Sequence, residues 1–353
     1  MSDKTHISRK DFFKLLGGAA GIGALSYFFG LRNQPNTIPA AALPAYLDGG
    51  SAFPVFRGPY LQKNAQLSAL LFPADLSALT ALCDQTLNAI PNSPFTYQPL
   101  ISNVLVVCAN MLVSSLDERD SGVGLIPESE IGFWLLTVAS RRTATGLVPD
   151  HLAWFIPYLF VDEANSIATG REVYGFNKQA GAFAQTSQAL TLSVTGFRRF
   201  GPDTVAQTEP LLEVTLPLDK SAQSQWNDWE TAKTALVGSI RSGAGSGPDN
   251  GIVEFASHAA LQNIPLAFIK QLRHAADPQK AAYQAVLETP MQIQSFHGGG
   301  FFAGRGEMKI QPLESHPLAQ KLGLKENQAS ALGAWLNVDF VLGLGTEYSL
   351  TGD

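Results

Sequence analysis

Short apolar runs recur along most of this chain, and each meets turn-forming residues before it reaches helical length. They occupy 66–72, 104–113, 133–139, 154–160, 190–195, 211–216, 291–296 and 338–344. Runs of that size, rich in β-branched and aromatic residues and bounded by Gly, Pro, Asn or Asp, predict strands more readily than helices. A few helices fit between them. Asp75 is placed to cap a helix that carries Leu76, Leu79, Cys83 and Leu87 on one face, and Asn263 with Pro265 just after it predicts another through Phe268, Ile269 and Leu272. No strand–helix–strand alternation is sustained, so the chain reads as a β-rich α+β domain and not as a doubly wound sheet.

Between 201 and 251 the character changes. QSQWNDWETAK predicts a helix showing Trp226, Trp229, Val237 and Ile240, and RSGAGSGPDNG after it is a loop by composition. This stretch is read as an insertion whose tryptophans anchor it by packing. No internal repeat, heptad pattern or phosphate-binding glycine loop is present.

Hydrophobic residues make up 45% of the 353-residue chain and charged residues 15%. The first value supports a sizeable core. The second lies below the ~25% usual for soluble domains, which suits a surface partly covered by other copies of the chain. Residues 1–32 carry Lys4, Arg9, Lys10, Lys14 and Arg32 against Asp3 and Asp11, so the formal −6 divides into +3 there and −9 over the rest. An acidic body excludes nucleic acid as the expected partner. Cys83 and Cys108 form neither a disulfide framework nor a metal-ligand spacing, and the six histidines are scattered, so no metal or cofactor is expected.

The N-terminus is a separate kind of segment. Ser8-Arg9-Lys10-Asp11-Phe12-Phe13-Lys14 precedes a glycine-rich apolar run over 15–31, the order of an export signal. It resembles a twin-arginine signal with Lys10 in place of the second arginine. An A-x-A site stands at 40–42. The alternative is an uncleaved anchor, since 12–31 is nearly the ~20 residues a spanning helix needs. Both place the body outside the cytoplasm, with membrane contact only through an uncleaved N-terminal segment. Residues 32–50, rich in Pro, Ala and Gly, read as a linker to a domain over 51–353.

One motif invites a hydrolase reading. His297-Gly298-Gly299-Gly300 looks like the oxyanion loop of esterases, but that loop serves a nucleophile elbow, and no G-x-S-x-G lies after it. The glycines therefore predict a bulge or tight bend in a strand.

Other residues do assemble into a pattern. Phe56-Arg57-Gly58-Pro59-Tyr60, then Pro127-Glu128-Ser129, then Ile167-Ala168-Thr169-Gly170-Arg171-Glu172 leading to Phe176-Asn177-Lys178, resembles the acetoacetate decarboxylase family in order and spacing. The resemblance continues through Gln311-Pro312-Leu313 and 332–344, and so spans 51 to the end apart from the insertion. It implies a cone or barrel-like β-rich domain with a few packed helices, and a homo-oligomer. It also implies that Lys178 forms a Schiff base with a substrate ketone and that Glu128 is an active-site carboxylate. Arg57, Gln179 and Phe176 are the candidate substrate contacts, although Arg57 and Arg171 suit a role in the fold or a subunit interface as well. The family pattern is altered in four places. Asn177 stands where a proline precedes the lysine, Gln179 where a second lysine follows it, and Ala65 where an arginine lies. A second glutamate aligns near Asn110.

The chemistry requires a neutral amine. A lysine at its ordinary pKa of ~10.4 is neutral in about one molecule in 2,500 at pH 7. Burial alone can lower that value by ~3–5 pH units, because desolvation disfavours the ammonium. Acetoacetate decarboxylase is itself a known instance of such an activated lysine. With Gln179 in place of the neighbouring lysine, desolvation is the route left in the local sequence. The expected function is a Schiff-base-forming lyase acting on a small keto acid, by decarboxylation or by related C–C or C–O cleavage. The alternative is an exported binding protein that keeps the family pocket without turnover.

Overall fold

The structure is a computed structural model that describes residues 44–47, 55–91, 93–144, 146–186, 189–217, 225–243 and 264–349. The expected signal or anchor at 1–31 lies outside the described residues, as does most of the linker. Among the described residues no helix is long and apolar enough to cross a membrane.

The chain forms β1 (Tyr60–Pro73), β2 (Phe95–Pro99), β3 (Asn103–Ser115), β4 (Ile126–Thr143), β5 (Gly146–Val161), β6 (Lys178–Ala180), β7 (Ala182–Gln185) and β8 (Ala189–Gly196). It continues with β9 (Gln207–Thr215), β10 (Leu266–Arg273), β11 (Ala281–Thr289), β12 (Met291–Phe301), β13 (Glu307–Ile310), β14 (Asn327–Ala329), β15 (Leu332–Leu342) and β16 (Thr346–Ser349). The helices are α1 (Leu76–Gln85), α2 (Ala164–Thr169), α3 (Trp229–Gly243) and α4 (Leu318–Leu322). Each apolar run singled out in the sequence falls on a strand, and the Asp75 carboxylate caps α1 by accepting from Ala78 N at 2.8 Å.

Eleven strands make the main sheet, along the path β12-β15-β1-β3-β4-β5-β10-β11-β16, with β2 on β4 and β6 on β5. Five make the second, in the order β14-β13-β9-β8-β7. The connectivity dictates a strong curl. Strands β11 and β12 are separated by Pro290 alone, and β15 and β16 by residues 343–345, yet each pair joins opposite ends of the main sheet. Those ends must therefore come together. At the seam Gly343 N donates to Pro290 O at 2.9 Å and Thr289 Oγ1 to Gly343 O at 2.7 Å. No ladder joins β12 to β16 among the described residues, so the expected cone is a curled sheet with an open seam and not a closed barrel.

Alternation along β4 assigns the two faces of the curl. Ile131, Phe133 and Leu135 point into the core, where they meet Phe72 and Leu79 from β1 and α1 and Leu192, Leu212 and Met308 from the second sheet. Burying a side chain of that size contributes ~1.5–3 kcal/mol, which is what holds the second sheet against the first. Glu128, Glu130 and Trp134 have the opposite parity and line a cavity on the other face.

Two expectations are corrected by the fold. The helix predicted through Phe268, Ile269 and Leu272 is strand β10, paired parallel to β5 and antiparallel to β11. A short apolar run such as Leu-Ala-Phe-Ile reads equally as buried helix or buried strand, and pairing on both sides decides it. The stretch read as an insertion begins too early. Within it, β9 lies between β8 and β13 and buries Leu211, Leu212 and Val214. Beyond β9, the described residues 225–243 of that stretch contribute no strand to either sheet. There Trp226, ahead of α3, packs with Phe301 and Ala334. The glycines after His297 lie in β12, with a bulge against β15 between Phe296 and Gly298.

Candidate active site

The segment that delivers Lys178 is built turn by turn. Glu163 caps α2 by accepting from Ser166 N at 2.8 Å. The helix then widens into a π turn, Gly170–Tyr174, which stops at Gly175 with φ 77°. Only glycine adopts that conformation freely, and space imposes glycine as well, since a Cβ there would lie 2.4 Å from the Lys270 Cα. Phe176 N returns to Gly170 O at 3.1 Å, and Asn177 Nδ2 donates to Pro157 O at 2.8 Å. Lys178 then opens β6, opposite Leu159 of β5. Asn177, at the position where the family carries proline, fastens the strand through its side chain.

The lysine stem crosses Gly170, where a Cβ would stand 2.8 Å from Lys178 Cδ. Its Nζ reaches 2.9 Å from Glu128 Oε1 and bonds Ser166 Oγ. Phe176 is buried, and its ring centroid is 5.5 Å from Nζ. Lys178 is 8% exposed and Glu128 3%, so the pair is buried and does not decorate the protein's surface. The cavity above the pair has an empty volume of about 900 Å³, counted out to its open mouth.

Glu128, the carboxylate that the resemblance implied for the site, is the partner of the amine. It stands where it can accept a proton from Nζ, the transfer that a nucleophilic amine requires. No second cation takes part among the described lining residues. The Arg171 guanidinium donates to the Lys178 backbone carbonyl at 3.0 Å.

Sequence reasoning missed Glu130. Asn110, the position aligned with a second glutamate, is exposed on β3 beside Ser129. Glu130 instead comes two residues after Glu128 and faces the same cavity. Burial pushes its carboxyl up to about 8, the Glu128 charge and a hydrogen bond to Glu128 add to that, and Lys178 pulls the other way. At neutral pH it holds a proton mostly. The period-two spacing in Pro-Glu-Ser-Glu was the available signal, because alternate residues of a strand share a face.

Two predicted substrate contacts lie elsewhere. Arg57 binds Asp120, Nη1 to Oδ1 at 2.6 Å and backbone N to Oδ2 at 2.7 Å, and is not among the cavity-lining residues. Gln179 turns to the opposite face of β6, where its Oε1 meets His316 Nε2 at 3.0 Å. Alternation along the strand sends neighbours to opposite sides, so a side chain next to Lys178 in sequence is not next to it in space. Phe176 does line the cavity.

What the arrangement offers is a buried amine, an adjacent carboxylate to take its proton, a hydroxyl on the same nitrogen and a protonated carboxyl beside them. No protein-family model matches the chain, and no curated protein does. Solved structures do match. Acetoacetate decarboxylase from Legionella pneumophila superposes with a TM-score of 0.52 at 15% identity, over 88% of this chain and 98% of that one. The enduracididine biosynthesis enzyme MppR, complexed with the condensation product of pyruvate and imidazole 4-carboxaldehyde, gives 0.53 at 14% identity over 90% and 99%. An acetoacetate decarboxylase-like enzyme from Sphingomonas wittichii RW1 gives 0.50 at 12%, over 83% and 94%. This chain therefore has the acetoacetate decarboxylase-like fold.

Proposed function

We propose that the protein is a Schiff-base-forming lyase that acts on a small keto acid through Lys178. The observation that supports this reading most is the buried Lys178–Glu128 pair lining a cavity, with Ser166 on the same nitrogen. In the first step Glu128 accepts a proton from Nζ and the freed amine adds to the carbonyl carbon. The carbonyl oxygen takes up two protons, the one passed to Glu128 and a second lost from nitrogen, and leaves as water, which gives an iminium. The iminium then accepts the electron pair of a breaking bond one carbon away. For a β-keto acid that bond is to the carboxylate, CO₂ departs, and the resulting enamine is protonated on carbon, a task suited to the Glu130 carboxyl. Water finally releases the product and restores the lysine. The MppR complex contains a pyruvate condensation product, an example of keto-acid chemistry on the same fold.

Loss of ¹⁸O from a labelled keto-acid carbonyl into water, monitored alongside product formation, tests the reading. Exchange above the buffer rate that vanishes in Lys178→Met, with product released, is expected. Exchange without product marks a binding protein, and exchange no faster than in buffer overturns the Schiff base. Export and self-association are carried forward as part of the same proposal. N-terminal sequencing of protein from the native host and light scattering, respectively, test them.

A further inference from the structure

Three positions from which a second positive charge would be expected to reach the substrate are all withdrawn from the cavity. Arg57 is held by Asp120. Gln179 faces His316. Ala65 is fully buried and packs with Met111 and Val338. Lys178 is consequently the single cation among the described residues that line the site, against the three carboxyls of Glu128, Glu130 and Glu163.

Most of the side chains that complete the wall are apolar, with Gln62, Ser114 and Ser115 among the polar exceptions. Around the amine, Lys178, Glu128 and Ser166 touch one another. The remaining lining comes largely from a cluster that includes Tyr60, Ile156, Leu159, Phe176, Leu266 and Leu342. The rim continues this character. Val123 lines the mouth while 53% exposed, and Leu125 beside it is 47% exposed. Glu128 already faces the one positive charge at Lys178, so each carboxylate that a substrate brings adds negative charge to the site, and a second adds more than a first. A second has no positive partner, and an unpaired charge in apolar surroundings is strongly disfavoured.

We propose that the site selects a monocarboxylic keto acid with an apolar chain, and excludes keto acids that carry a second carboxylate. This rests on the Schiff-base reading above and narrows its substrate class. The wall then recognises the tail, as the lysine recognises the carbonyl.

The test uses the full-length protein and borohydride, with adducts on Lys178 measured by mass spectrometry at subsaturating pyruvate, 2-oxobutanoate, 2-oxohexanoate and 2-oxoglutarate. Each rate is divided by that of the same compound with a free model amine. Burial of each added methylene predicts a rise of about fourfold, or roughly 60-fold from pyruvate to 2-oxohexanoate. The dianionic 2-oxoglutarate is expected to fall below pyruvate by about tenfold or more, as one uncompensated charge implies. A flat or falling series, or 2-oxoglutarate labelling as fast as 2-oxohexanoate, overturns the selectivity and leaves the Schiff base standing. Absence of any adduct with all four compounds overturns both.

Discussion

Gly170 sets the position of the reactive amine through what it lacks. Its backbone is right-handed helical, φ −63° and ψ −40°, so alanine meets no conformational barrier there. On backbone grounds alone Gly170→Ala would stabilise the fold by about 0.4–1 kcal/mol, because the unfolded chain loses freedom. The obstacle is the lysine. The added Cβ would stand 2.8 Å from Lys178 Cδ and 3.0 Å from Cε. Carbon atoms rest at ~3.5–4.0 Å, so the stem must retreat by roughly 0.7–1.2 Å. Its Nζ, now 2.9 Å from Glu128, moves with it. A displacement of about 1 Å at a reacting group lowers rate by ~10²-fold. The assay is the initial rate of borohydride-trapped adduct with 2-oxohexanoate, read by intact mass, with urea unfolding run in parallel. Gly122→Ala is the control, since a Cβ there meets nothing within 4 Å. The expected result is a trapping rate about 100-fold lower in Gly170→Ala, with a cooperative unfolding transition retained and Gly122→Ala unchanged. Wild-type trapping by Gly170→Ala would refute the placement of the amine.

The same geometry predicts other outcomes. Lys178→Met should abolish adduct formation and destabilise the fold by about 3–5 kcal/mol, because Glu128 is left buried without its partner; adding Glu128→Gln should recover part of that loss in urea unfolding. Glu130 ties stability to pH. Its carboxyl titrates near 4.5 when unfolded and at about 8 when folded. The native state thus keeps a proton that the unfolded chain has lost, so this contribution is full below about 4.5 and is lost as pH rises through about 8. Urea midpoints of wild type should fall across that window more steeply than those of Glu130→Gln. Gly175→Ala should cost at least about 1–2 kcal/mol from the left-handed φ alone, before its clash with the Lys270 backbone, and calorimetry would register it as a lowered Tm.

How much was readable in the sequence depended on how local each cause is. The strands were legible because apolar runs closed by turn residues encode them within a few positions, and the cap at Asp75 for the same reason. Strand β10 was not, because Leu-Ala-Phe-Ile becomes a strand only through β5 and β11, whose pairing no local pattern reports. Strand β9 was visible as an apolar run, but its place between β8 and β13 was not. At the candidate site, Lys178, Glu128 and Phe176 came from the resemblance to a known family pattern, and all three line one cavity. The direction in which Gln179 and Arg57 point depended on strand parity and on Asp120, neither of which motif spacing reports. Glu130 was within reach, since a carboxylate two residues from a site carboxylate on the same strand shares its face. Its raised affinity for a proton needed the burial and the Glu128 contact that only the folded chain supplies.

Peptide mapping after borohydride reduction in the presence of a small keto acid interrogates the reactivity of the buried amine without any intermediate assumption. A reduced adduct is expected on the peptide carrying Lys178, and none on peptides carrying the exposed Lys280 or Lys309. A protein that stays unlabelled at Lys178, or that is labelled equally at those surface lysines, would show that the amine is not the reactive group.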